Sequence, residues 1–142
     1  MPAGYEYNLD HRVVDAAAWD IVTLADWVGY LEQASTLPND LRGAVEYIDL
    51  SEAVSVQVSY MGAMQLAPYY ETFLDRGIRG SVIYVPDEEL YEVASMIIST
   101  CSVVGGGLPD GYRLSSRPLP LHDVHRFLEQ GDSSNADSAK VA

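Results

Sequence analysis

Lysine is nearly missing from this chain. Lys140 is the only lysine among eight basic residues, whereas aspartate and glutamate together number 21, and the formal net charge is −13. A field of this sign repels nucleic-acid backbones and anionic lipid surfaces. We therefore expect no nucleic-acid partner. Two explanations of the composition stay open: adaptation to a saline habitat, or a GC-rich genome that depletes lysine.

Cysteine and long apolar runs are also scarce. The single cysteine, Cys101, cannot form a disulfide within the chain, and residues 99–103 offer no basic group that would stabilise a thiolate. We predict that Cys101 is a small buried helix residue. No apolar run reaches the roughly 18 residues of a membrane span, and the N-terminus lacks the pattern of a signal peptide. These absences predict a cytoplasmic protein without a transmembrane segment.

The motifs of common catalytic sites are missing as well. No Gly-x-Ser-x-Gly pattern occurs, and the glycines at 105–107 lack the spacing and the following lysine of a phosphate-binding loop. We therefore expect no catalytic activity, no cofactor and no metal. The alternative is a small-molecule enzyme or metal-binding protein that uses His122 and His125, three residues apart on a predicted helix, with acidic neighbours such as Asp123. His11 could join them only through the fold, and a large separation of the three histidines would count against this alternative.

What the sequence does contain is an alternation of strand and helix patterns. Apolar residues recur with a period of two or in short runs over the predicted strands 5–9, 13–18, 44–50, 81–85 and 112–115. Helical patterns begin near residues 23, 59, 90 and 121, and Pro68 predicts either a kink in the helix 59–75 or a later start. This order predicts the α/β class, with a mixed, mostly parallel sheet of about five strands, an N-terminal antiparallel hairpin and about four helices.

Length and composition also predict the domain organisation. A chain of 142 residues has the usual size of one domain. From Gly131 onward the composition shifts to serine, asparagine, aspartate and alanine, which lack the apolar surface that a packed core needs. We predict one domain over residues 1–129 and a disordered tail over residues 130–142.

Three short segments resemble a known family. They are residues 47–51 (YIDLS), residues 61–62 (MG) and residues 80–87 (GSVIYVPD). Together with the order of elements over residues 5–129, they resemble the STAS family of anti-sigma-factor antagonists. The closer likeness is to its SpoIIAA-like branch, which shares its outline with Sec14-type lipid-binding domains. The resemblance implies a regulatory or binding module.

The resemblance also implies a modification position. In the anti-sigma-factor antagonists, a partner kinase phosphorylates a serine that opens the helix after the third strand, within an Asp-Ser-Ser-Gly motif. The corresponding stretch here is Gln57-Val58-Ser59-Tyr60, in which Ser59 matches the modified serine and the other three residues differ. We predict that Ser59 is a helix cap, and phosphorylation of Ser59 is the alternative that the resemblance offers.

Aromatic residues are concentrated in the second predicted helix. Because its large side chains are spread around the helix axis, they cannot all face the sheet. We therefore predict a ligand or partner surface formed by Tyr60, Met64, Tyr69, Tyr70 and Phe73, with ordinary core packing as the alternative. The predicted function is a non-enzymatic regulatory or binding module. Beside the second helix it would engage a protein partner, a second copy of itself, or a small apolar or lipid-like ligand.

The charge generates a first prediction. If the acidic surface is a salt adaptation, repulsion among carboxylates destabilises the fold at low ionic strength and is screened as salt rises. We expect the melting temperature to increase between about 0.05 M and about 2 M sodium chloride, measured by circular dichroism. A melting temperature that stays constant or decreases over this range would rule out the salt-adaptation hypothesis.

Overall fold

The computed structural model describes residues 3–105 and 107–131. The α/β prediction, including the N-terminal antiparallel hairpin, is confirmed. In chain order the elements are β1 (Ala3–Asn8), β2 (Val13–Thr23), α1 (Leu24–Ala34), β3 (Val45–Gln57), α2 (Tyr60–Asp75), β4 (Gly80–Tyr84), α3 (Glu88–Val104), β5 (Tyr112–Ser115), a 3-10 turn (Leu121–Asp123) and α4 (Val124–Gln130).

The strands lie in the sheet in the same order as in the sequence, from β1 to β5. β1 pairs with β2 in antiparallel fashion, and β2, β3, β4 and β5 are parallel to one another. The connections between the parallel strands are α1, α2 and α3 in turn. None of the helices in the described residues has the length and apolar character needed to cross a membrane.

Two strands are longer than the sequence pattern indicated. β2 continues five residues beyond the predicted end at Ala18, and β3 continues seven residues beyond Leu50. Asp20 and Asp49, whose residue type is uncommon in strands, both lie inside them. Asp20 adopts a φ of 58° at an irregularity in the β2–β3 register, and the side chain of Asp49 accepts a hydrogen bond from the Ser51 amide while the strand continues.

The helix boundaries also differ in places. α2 runs continuously through Pro68, so a later helix start is wrong. α3 begins at Glu88, before the predicted Leu90, because the Asp87 side chain caps it by accepting a hydrogen bond from the Leu90 amide. The closing helix begins as a 3-10 turn, and α4 extends to Gln130. The remainder of the predicted tail, residues 132–142, lies outside the described residues.

The sheet has two faces that are covered to different extents. On the front face, α1, α2 and α3 pack over inward-pointing strand residues such as Ile48 and Ile83 to form the larger core. On the back face, α4 packs against Val45 and Val82 in a smaller core. Gly80 permits this close approach, because a Cβ atom there would lie 2.4 Å from Leu128 Cδ2. Among the residues that the structure describes, one face therefore has a layer of three helices, whereas the other has a single short helix.

A buried carboxylate lies at the centre of the front core. Glu46, on β3, is fully inaccessible to solvent. The hydroxyl groups of Tyr30, Tyr70 and Ser81 donate hydrogen bonds to it at 2.6, 3.0 and 2.6 Å. Trp27 Nε1 in turn donates to the Tyr70 hydroxyl at 3.2 Å. The network joins the two central strands, β3 and β4, to the helices α1 and α2.

Burial governs the protonation behaviour of this network. It raises the pKa of Glu46 above the ordinary value of 4.5, against the opposing effect of the three hydroxyl donors. Burial and the neighbouring Glu46 carboxylate also raise the pKa of Tyr30 and of Tyr70, so both phenols keep the protons that they donate. Desolvation of the carboxylate is therefore a cost that the hydrogen bonds offset only in part.

This network generates a second prediction. Because the native pKa of Glu46 lies above its unfolded value, the native state binds the proton more tightly, and the contribution of Glu46 to the free energy of unfolding decreases as the pH rises from about 4.5. Glu46→Gln does not titrate. We therefore expect the free energy of unfolding of the wild type minus that of Glu46→Gln to decrease from pH about 4.5 to pH about 7.5, measured by urea titration.

The exposed glutamate Glu88, on the first turn of α3, supplies the control, since Glu88→Gln removes the same chemical group from the surface. The wild-type minus Glu88→Gln difference should depend on pH far less than the Glu46 difference does. If the wild-type minus Glu46→Gln difference increased with pH, the hydroxyl donors would lower the pKa of Glu46 more than burial raises it.

Candidate functional site

Three helices begin at one edge of the sheet. Because β2, β3 and β4 are parallel, their carboxyl ends meet at the same edge, and α1, α2 and α3 follow them directly. The side chains of Thr23, Ser59 and Asp87 cap the three helices. In open α/β sheets, binding sites lie outside this carboxyl edge, so it is the first place to look for one.

The predicted α2 surface is only partly present at this edge. Tyr60 is 60% exposed, and Met64 and Tyr69 are half-buried. Tyr70 and Phe73, in contrast, are buried in the front core, so they are core residues and not surface residues. The two are three positions apart and therefore share the face that α2 turns toward the sheet.

The sequence could not indicate why a tyrosine lies at the inner position 70. Its hydroxyl group needs a buried acceptor, and that acceptor is Glu46 on β3, 24 residues away along the chain. The rings of Phe73 and Tyr112 contact the Tyr70 ring edge-on, with centroids 5.9 and 5.4 Å away. These partners lie on separate elements, and only the fold brings them together.

Met61 is a surface residue that the predicted α2 surface did not include. It is 64% exposed, directly beside Tyr60 in the first turn of α2. The buried residues of this turn are the small Gly62 and Ala63. A Cβ atom on Gly62 would lie 3.4 Å from the side chain of Leu24, so the small residue lets α1 and α2 approach closely. In the sequence, the pair of small residues Gly62 and Ala63 was the signal that this side of the turn is buried, since close helix packing requires small side chains.

Ser59 is the N-cap of α2, as predicted. Its backbone is extended, and its hydroxyl oxygen accepts a hydrogen bond from the Gly62 amide at 3.0 Å. The residue itself is exposed. A cap of this kind satisfies one of the backbone amides that a helix N-terminus leaves without an intrahelical partner.

The long strands add exposed apolar side chains at the same edge. β2 and β3 continue past the last β3–β4 pair, Asp49 with Tyr84, and remain paired as far as Thr23 with Gln57. Val54 is an additional residue of β3 at a register shift and is 74% exposed, and Ile21 is exposed on β2. The alternating valines at 54, 56 and 58 were a strand signal that the predicted end at residue 50 overlooked.

The histidines of the alternative hypothesis lie close together. The ring centroids of His11 and His122 are 6.3 Å apart, and His125 Nε2 lies 2.9 Å from the carbonyl oxygen of Arg12. The large separation that would have counted against the alternative is therefore not observed. Within residues 3–105 and 107–131, however, no group of three or more histidine, cysteine, aspartate or glutamate residues is arranged to hold a metal ion.

Cys101 and an apolar crevice are two further features of the front side of the sheet. Cys101 is buried on α3, as predicted, and burial raises the pKa of its thiol to about 11, which disfavours a reactive thiolate. A narrow apolar crevice lies against α1, where Ala16, Ala18, Trp27 and Tyr30 line it. Its lining residues come from β1, β2, α1 and β3, so this crevice is not the predicted ligand site beside α2.

Comparison of the chain with protein-family models, with curated proteins and with solved structures gave no significant match.

The geometry of Ser59 generates a third prediction. Ser59→Ala removes the acceptor for the Gly62 amide, and we expect the free energy of unfolding to decrease by about 1 kcal/mol, the typical cost of a lost N-cap. Urea titration measures the change. The control is Ser99→Ala, at an exposed interior position of α3, where alanine favours the helix. Equal stabilities of Ser59→Ala and the wild type would show that the cap contributes nothing.

Proposed function

We propose that this chain is a non-enzymatic binding module that engages a protein partner through the first turn of α2. The observation that carries the proposal is the pair of large side chains at this position, Tyr60 and Met61, which are 60% and 64% exposed. Both follow the capping residue Ser59 directly. Aromatic residues and methionine are enriched in the contact surfaces of protein complexes, where they contribute buried area.

The topology of the sheet favours a protein partner over a small ligand. A ligand crevice opens at the carboxyl edge where neighbouring connections leave the sheet in opposite directions. In this fold the strand order follows the sequence, and α1, α2 and α3 all pack into the same core on the front face. The order therefore creates no such branching point among β2, β3, β4 and β5. A surface contact suits this edge better than an enclosed pocket does.

The resemblance to the STAS family supports the same proposal. The element order over the described residues agrees with the order on which the resemblance was based. Ser59 lies at the start of α2, the position where the family carries its modified serine. Under this proposal Tyr60 and Met61 lie beside the regulatory position of the family, and membership of the family is itself part of the proposal.

A paired set of substitutions tests the proposal. Met61→Glu places a charge in the exposed first turn of α2, where a carboxylate interacts favourably with the helix N-terminus, so the fold should be retained. Val103→Glu is the control, because Val103 is 87% exposed and lies near the carboxyl-terminal end of α3. We expect the immobilised wild-type chain and the Val103→Glu variant to retain a protein from an extract of the native cells. The Met61→Glu and Tyr60→Glu variants should not retain this protein.

Other results would lead to other conclusions. Equal retention by all four chains would place the contact elsewhere and contradict the proposed surface. If the partner is a second copy of the chain, sedimentation would show a dimer for the wild type and for Val103→Glu, and a monomer for Met61→Glu. Retention of no protein, together with a monomer throughout, would contradict the proposed function.

A further inference from the structure

Within residues 3–105 and 107–131, part of the back face of the sheet lies outside the smaller core. α4 packs over the amino-terminal half of this face, where Val13, Val45 and Val82 lie. The next back-face positions along the strands are Asp15 and Ala17 on β2 and Asp49 on β3. None of the three belongs to either core, and all three are partly exposed. Parallel strands are normally covered on both faces, so within the described residues this half of the sheet is less covered than such sheets usually are.

Carboxylates occupy the open half on three neighbouring strands. Glu6 on β1 pairs directly with Asp15 on β2, and Asp49 on β3 pairs with Ala17, two residues farther along β2. Their sequence neighbours point into the front core, which places all three carboxylates on the back. Partial burial and the charges of Glu6 and Asp49 raise the pKa of Asp15. The fold thus holds like charges near one another.

The shape of this surface suits an approaching side chain. Two shallow grooves meet at Ala17. The first is lined by Gly4, Glu6 and Asp15, and the second by Asp49, Ser51 and Glu52. Trp19 lies at the border, where its ring would be 3.7 Å from a Cβ atom on Gly4, and the residue is 38% exposed. Small residues therefore form the floor, and carboxylates with an aromatic ring form the rim.

We propose that this open sheet face binds a segment of a partner protein that carries arginine side chains. Charge complementarity selects the occupant. A second copy of this chain would bring the same carboxylates, and nucleic acids and anionic lipids carry charge of the same sign. The guanidinium group pairs with carboxylates through two parallel hydrogen bonds and also stacks on aromatic rings, so Glu6, Asp15, Asp49 and Trp19 together offer what arginine recognises.

This surface lies on the sheet, apart from the first turn of α2, so the inference goes beyond the proposed function. A partner could use one surface or both. Substitutions at Met61 leave the sheet face unchanged, and substitutions at the sheet face leave the start of α2 unchanged. The two proposals can therefore fail independently.

The experiment compares two variants with the same change in net charge. The face variant is Glu6→Gln/Asp15→Asn/Asp49→Asn, in which the side-chain amide introduced at position 49 keeps an oxygen that can accept the hydrogen bond from the Ser51 amide. The control variant is Glu88→Gln/Glu89→Gln/Glu92→Gln, three exposed positions on α3. The probe is a short peptide of alternating arginine and alanine, and its glutamine–alanine counterpart is the peptide control. Amide chemical shifts, recorded at low ionic strength, measure binding and its location.

We expect the arginine peptide, and not the glutamine peptide, to shift amides of β1, β2 and β3 around Ala17 in the wild type. The face variant should bind at least about tenfold more weakly, whereas the control variant should bind with nearly wild-type affinity. Asp15→Asn alone should show part of the loss, and it serves as the test if the triple variant does not fold. Added salt should weaken the binding.

Three outcomes would overturn the proposal. Equal weakening in the face and control variants would show a non-specific attraction to net charge. Shifts confined to other elements, or no binding by the wild type, would show that the sheet face is not an arginine site. Shifts of the same amides by magnesium or calcium chloride alone, at peptide concentration, would assign the carboxylates to a cation.

Discussion

The carboxylate of Glu46 lies between the central strand β3 and the helices α1 and α2, and it accepts hydrogen bonds from Tyr30, Tyr70 and Ser81. Each group in this network belongs to a strand or helix, and its hydrogen bonds help to position the strands and helices that carry the other groups. A buried polar network of this kind is stable only when all its members are satisfied, which fixes how far each helix can slide or rotate on the sheet. The placement of the first turn of α2, and with it the orientation of Tyr60 and Met61, depends on this constraint.

The regular parts of this fold were predictable because they depend on local patterns. The hairpin, the alternation of strands and helices and the cap at Ser59 each follow from residues close together in the sequence. The end of β2 was not predictable, because pairing with β3 carries the strand through Asp20, whereas the alternating valines at 54, 56 and 58 did signal the continuation of β3. The burial of Tyr70 was equally hidden, since its hydroxyl partner lies on another element. Long-range partners decide such positions.

The two faces of the sheet differ in how far the described residues cover them. The front is filled by a core to which α1, α2 and α3 all contribute, and the exposed first turn of α2 lies at the carboxyl edge. The back has one short helix, and the carboxylates of Asp15 and Asp49 lie beside it. A chain with a net charge of −13 gains little stability from such a cluster. The proposed arginine site would give these carboxylates a role in recognition.

The order of strands in the sheet has a consequence for how the chain folds. Each strand pairs with the strand that precedes it in the sequence, so no pairing must wait for a segment that is synthesised much later. Each parallel pairing therefore closes a loop of one helix–strand unit, and the entropy cost of loop closure rises only slowly with loop length. β1, β2, α1 and β3 can assemble first, and each later helix–strand unit then adds to an existing edge. The chain can therefore build its sheet progressively from the amino terminus while it leaves the ribosome.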